Sequence, residues 1–166
     1  MKVQRSPALR AWREHHESCK YVLLTISGLH YDAFPGQEDE SEPIEVITPA
    51  VYYYKNNKHY VIYDEVVEGM AGVIKNKIRF TEDGLLEIMK SGISNTHMVF
   101  EKGKINMTEY ETPYGELMVG VYTNGMTMDV QEHNIDIHVG YALDINSEKV
   151  ADCNIVMNIR SNGEIS

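Results

Sequence analysis

Tyr63 and Glu65 stand two residues apart in Tyr60-Val61-Ile62-Tyr63-Asp64-Glu65, a segment rich in strand-forming types. On a strand, residues i and i+2 share a face, so a phenol and a carboxylate project together, beside His59 and Val61. If that face lines a barrel, the carboxylate needs a cation, a hydrogen bond or a ligand, because an unpaired buried charge is costly. Lys75, Lys77 or Arg79 on the next strand would supply the cation. If the face points outward, the pair is ordinary solvated surface. Tyr60, Ile62 and Val66 then form the inward set, and residue types favour this second reading. The stripe Lys75/Lys77/Arg79 could likewise hold an anionic headgroup, but a solvated strand face needs no function.

Other chemistry is thinner. Of seven histidines, His15 and His16 are adjacent, His133 and His138 fall on opposite sides of one strand, and His30, His59 and His97 are isolated. No metal-ligand spacing results, and no metal or other cofactor is expected. Asp64 and Glu65 face opposite ways, which does not suit acid/base cooperation. Ser91 and Ser94 flank Gly92 with no identifiable base, and there is no nucleophile elbow, phosphate loop or dinucleotide fingerprint. No catalytic residue is assigned. Nine methionines and eleven tyrosines suit either a filled core or a cavity for a flexible ligand.

The elements that must position these groups are strands. The chain has 166 residues and a net charge of −10, which disfavours a nucleic-acid partner. Residues 1–20 carry +3 and the remainder −13. The longest uncharged stretches, such as 21–31, are too short for a membrane-spanning helix. Two distant cysteines, Cys19 and Cys153, and no convincing signal peptide point to a cytoplasmic protein, with a Cys19–Cys153 bridge as a minor alternative. Residues 1–20 read as an extension, with Ser6-Pro7 starting a short helix that carries Leu9, Trp12 and His16 on one face, or else as an unpacked tail.

Residues 21–166 read as one domain. Turn signals divide it into runs at 20–31, 44–54, 58–67, 72–80, 85–90, 96–101, 104–112, 115–129, 131–145 and 149–161. Two runs alternate cleanly. Ile135, Ile137, Val139, Tyr141, Leu143 and Ile145 form one inward set, and Ala151, Cys153, Ile155, Met157 and Ile159 another. With every strand one-sided and no long helix to cover a face, a sheet of this width must curl upon itself. An antiparallel up-and-down barrel of about 8–10 strands is expected, an open sandwich being the alternative.

Three pieces then stand in order: Thr48-Pro49-Ala50-Val51-Tyr52-Tyr53-Tyr54 leading into Tyr60-Val61-Ile62-Tyr63-Asp64-Glu65, next Lys90-Ser91-Gly92 and Phe100-Glu101-Lys102-Gly103, and last Tyr110-Glu111-Thr112-Pro113-Tyr114-Gly115. Together they resemble the YwiB-like family of bacterial β-barrels, a domain of unknown function. The resemblance covers roughly 21–160 and implies a calycin-type, lipocalin-like barrel without an assigned reaction. Lys90 stands where arginine is expected and Ala50 where glycine is.

The expected function is binding of a small apolar or amphipathic molecule inside the barrel. Ile135, Ile137, Val139, Tyr141, Ile155 and Met157 would line the interior, with Tyr63 and Glu65 as polar anchors. The alternative is a filled barrel serving as an interaction or structural module, such as a homodimer. Its candidate patch is the Tyr52–Tyr54 run, which puts rings on both faces.

Overall fold

Ten antiparallel strands follow one another along the chain. They are β1 (Cys19–Leu29), β2 (Ile44–Lys55), β3 (Lys58–Val66), β4 (Val73–Thr81) and β5 (Leu85–Gly92), then β6 (Thr96–Glu101), β7 (Ile105–Thr112), β8 (Gly115–Val130), β9 (Asn134–Ile145) and β10 (Glu148–Ser161). The computed structural model describes residues 19–29, 44–66, 68–69, 71–92, 95–112 and 115–161. No helix occurs among them. The expected helix within 1–20 falls on 1–18, outside the described residues, while Cys19 and Lys20 already belong to β1.

The strands form one sheet in the order β6-β5-β4-β3-β2-β1-β10-β9-β8-β7. The sheet curls into a nearly closed barrel, which brings its two edges, β6 and β7, side by side. Among the described residues no ladder joins them. Thr108 Oγ1 donates to the His97 carbonyl at 3.3 Å, and Gly103 N–H in the β6–β7 turn donates to the Thr123 carbonyl at 2.8 Å. Phe100 of β6 meets Tyr141 of β9 edge-on, with centroids 4.9 Å apart, so packing closes what hydrogen bonds leave open.

Alternation along the strands fills the interior. Ile135, Ile137, Val139, Tyr141, Ile155 and Met157 are all buried in one core with Leu24, Ile26, Ile78, Phe80 and Phe100. The two late strands thus place their residues as the period-2 pattern predicts, with Val156 exposed. Cys153 points into the core while Cys19 is exposed, and both are free thiols, which rules out the bridge. At a bulge between Ser27 and Leu29, Gly28 has φ +86° and lies against β10, where a Cβ would come within 2.0 Å of the Asn154 carbonyl oxygen.

The barrel has two ends. The base carries the β2–β3, β4–β5, β6–β7 and β8–β9 turns, and the opposite ends of the strands, with the β9–β10 turn, form the mouth. His59 plugs the base and is fully buried. Its ring stacks on Phe80 at 4.6 Å and meets Tyr54 edge-on at 4.7 Å. Nε2 donates to the Glu82 carboxylate at 3.0 Å, which leaves Nδ1 to accept from the Tyr52 hydroxyl at 2.8 Å. Tyr52→Phe is expected to cost about 1–3 kcal/mol in urea unfolding, because it orphans a buried ring nitrogen. An unchanged midpoint would remove this account of the base.

His59 also decides the facing of β3. With His59 inside, Val61, Tyr63 and Glu65 follow it inward, and Tyr60, Ile62 and Val66 face out. This corrects the outward reading of Tyr63 and Glu65. Tyr60 instead stacks on Tyr53 outside the barrel at 4.6 Å, with Lys77 Nζ 5.4 Å from its ring.

The β2–β3 hairpin turns through Asn56 and Asn57, both at positive φ (53° and 63°), a type I′ turn. The closing pair of such a hairpin, here Lys55 and Lys58, exchanges both hydrogen bonds. Every second residue of β2 therefore turns its N–H toward β3: Tyr53, Val51 and then position 49. Position 49 is proline and has no N–H. The ladder stops at Val51↔Ile62. Beyond it β2 pairs only with β1, and β3 only with β4, so the wall forks toward the mouth.

Candidate functional site

The mouth end of the interior is where polar groups collect. The strand register sets four side chains in a row across the wall: Tyr63 opposite Asn76, Asn76 opposite Lys90, and Lys90 opposite Thr96. Neighbouring strands lie ~4.8 Å apart, so the row is about 14 Å long. Glu65 sits one inward position beyond Tyr63. Lys90 Nζ donates to Glu65 Oε1 at 3.0 Å, and Asn76 Nδ2 donates to the same oxygen at 3.3 Å. Asn76 is fully buried, and its Oδ1 has no hydrogen-bond partner. Thr96 Oγ1, at the other end of the row, is also buried without one.

The fork opens at the Tyr63 end of this row, largely on the outer face of the wall. It holds a cleft of about 300 Å³ lined by Tyr21, Pro49, Val51, Ile62 and Tyr63, among others. Tyr63 belongs to both places: it packs on the core and it borders the cleft.

The family model for a domain of unknown function, DUF1934, matches residues 33–157. The chain belongs to the DUF1934 family. A relative, the uncharacterized β-barrel protein YwiB of Bacillus subtilis (strain 168), is 28% identical over 121 residues, spanning 73% of this chain and 83% of the relative. The crystal structure of the ywiB protein from Bacillus subtilis superposes with a TM-score of 0.65 at 23% identity, over 87% of this chain and 93% of that one. That likeness shows the shared barrel fold.

In this DUF1934 barrel the ionisable members of the row keep each other neutral as a set. Burial alone would push the Glu65 carboxyl up, but the hydrogen bond and charge of Lys90, with help from Asn76, hold it below the usual carboxylate range. Burial, and then the Glu65 charge, push Tyr63 up to about 12. Tyr63 is therefore a neutral phenol throughout the physiological range. In an ultraviolet titration Tyr63→Phe is expected to remove one phenol step at about 12. A profile identical to the wild type would show that Tyr63 is not buried in this way. Because its folded value exceeds the usual one, the stability it contributes is complete below about 10 and lost as pH rises toward 12.

Tyr63 and Glu65 are thus brought together, and the six apolar candidates of β9 and β10 lie in the packed core. The expected cation was wrong. Lys75 faces out near Asp64 at 3.7 Å, Lys77 covers Tyr60, and Arg79 binds Glu87, so none reaches Glu65. Lys90 does, from two strands away, at the position where the family resemblance leads one to expect arginine. Either side chain supplies the positive charge. Asn76, Thr96 and Pro49 escaped notice in the sequence. The parity of Asn76 could have flagged it, because it shares the inward face of Ile74, Ile78 and Phe80. A proline inside a strand signals a missing ladder bond.

Proposed function

We propose that this protein binds a small amphipathic molecule at the mouth end of its barrel, with the polar row as the anchor and without catalysis. The observation that carries the reading is Asn76 Oδ1. Buried side-chain acceptors are nearly always satisfied, and this one faces an interior row with a second unsatisfied group, Thr96 Oγ1, at its end. A ligand held there would satisfy both. The base is closed by His59, and the β9–β10 side is filled with core, so the mouth and fork are the ends left for entry. A calycin-like barrel that holds one small ligand is the corresponding architecture.

The test is native mass spectrometry of gently purified protein against its denatured mass. A reproducible added mass that leaves on denaturation, and that is lost in Asn76→Leu, supports the reading. An unadorned mass that persists after incubation with an extract of small molecules overturns it.

One observation favours a second reading, an interaction surface. Tyr21 and Leu23 of β1 and Ile47 of β2 are exposed on adjacent strands of the outer wall, at 86%, 44% and 62%. Sedimentation of the purified protein would show a stable dimer if that face is an interface between copies.

A further inference from the structure

The outer face of β10, β1, β2 and β3 carries an apolar strip with opposite charges on its two flanks. The ladders set the rows. Leu23 of β1 stands between Arg160 of β10 and Pro49 of β2. Tyr21 stands beside Val51, and Val51 beside Ile62 of β3. Thr25 stands beside Ile47. Asp64, two residues beyond Ile62, borders the fork cleft together with Pro49. The strip is thus Tyr21, Leu23, Ile47, Pro49, Val51 and Ile62, with Arg160 on the β10 flank and Asp64 on the β3 flank. Both charges are exposed, and Arg160 makes no ion pair among the described residues.

The strip also has a knob and a hole. Tyr21, 86% exposed, stands furthest into water of the large apolar and aromatic side chains described. Beside it lies the cleft of about 300 Å³ walled by Pro49, Val51, Ile62 and Tyr63. Pro49 ends the β2–β3 ladder and so keeps that hole open.

Two such faces can meet about a two-fold axis that runs across the strands or along them. An axis across the strands at the Leu23 row lays each strand over its own counterpart. It brings Arg160 against Arg160 and Asp64 against Asp64, and like charges facing each other are costly. An axis along the strands, midway between β1 and β2, lays β1 of each copy over β2 of the other. Each Arg160 then lies toward the Asp64 flank of the other copy, and each Tyr21 lies above the partner's Val51, at the opening of the cleft. The axis that the charges select is the one that sets knob over hole. The barrel wall is convex, so contact centres on β1 and β2, and the flanking charges act through complementary potential. Four strands span only about 14 Å, which puts the interface at the small end of the usual size range.

We infer that the partner of this face is a second copy of the chain, joined about a two-fold axis along β1 and β2, with the Tyr21 ring of each copy seated in the fork cleft of the other. The inference rests on the interaction-surface reading above and is independent of ligand binding at the polar row.

Sedimentation velocity of the full chain over a concentration series tests it. The wild type is expected to pass from monomer to dimer across the micromolar range. Tyr21→Glu is expected to weaken association about tenfold or more with an unchanged far-ultraviolet spectrum, because the ring is exposed in the single copy. Arg160→Asp and Asp64→Arg should each weaken it about fivefold, since the symmetry removes two rim pairs at once. Arg160→Asp combined with Asp64→Arg should return most of the affinity. A monomer at every concentration overturns the inference and the reading it rests on. A dimer that Tyr21→Glu leaves intact overturns the placement and leaves association between copies standing. Charge reversals without effect, or without recovery in the double variant, overturn the axis.

Discussion

Phe100→Ala is expected to lower the unfolding free energy by about 4 kcal/mol. Phe100 is fully buried and packs edge-on against Tyr141, from the last strand of one half-sheet to the second-last ladder of the other. Removing the ring forfeits its transfer energy and leaves a void that β6 cannot easily fill, since no ladder to β7 holds it in place. Amide exchange in β6 should quicken more than in β9, which has partners on both sides. A loss below about 1 kcal/mol would mean that the seam is not held by this packing.

Arg79→Met is expected to cost about 3 kcal/mol at neutral pH. On the outer face Arg79 Nε donates to Glu87 Oε2 at 2.7 Å, and His97 Nε2 lies 3.0 Å from Glu87 Oε1. The Glu87 side chain is only 9% exposed. Burial pushes its carboxyl up, but hydrogen bonds from Arg79 and His97 outweigh this and hold it low. In the wild type, Glu87 therefore contributes stability above the usual carboxylate value and loses it as pH falls through its lower folded value. Without Arg79, burial dominates and the carboxyl protonates earlier on acidification. The deficit of the variant should accordingly shrink as pH is lowered from 7 toward 5. Arg79→Met combined with Glu87→Leu should recover most of it. A deficit that grows on acidification, or a double variant no better than the single one, would show that the charge of Glu87 is not the cause. The clamp ties β4, β5 and β6 together, the three strands that carry Asn76, Lys90 and Thr96.

Strand number and the inward faces of β9 and β10 were legible because turn signals separate the runs and these two strands alternate without ambiguity; that the inward residues pack as core was not. The ends of the ten runs also fall within a few residues of the observed strands. The facing of β3 was not legible, because Lys58–Val66 carries apolar or aromatic residues at both parities. What settles it is a histidine stacked on Phe80, a contact across strands that spacing along one strand does not contain. The Glu65 partner was hidden for a similar reason. Lys90 is 25 residues away and reaches the carboxylate across an intervening strand. Two local signals in the sequence carry the fork: the Asn56-Asn57 turn fixes which β2 residues face β3, and Pro49 falls among them.

The sheet order also bears on how the chain reaches its native state. Among the described residues each ladder but one joins strands consecutive in the sequence, a set of local hairpins that can form as they are synthesised. The exception is β1 with β10, where Val22 sits opposite Ser161. Closing so long a loop before any reward from the contacts is entropically slow. On the ribosome, β1 therefore waits with one edge bare until β10 has emerged. That waiting edge, with Tyr21 and Leu23 beside it, is the stretch most in need of a chaperone during synthesis.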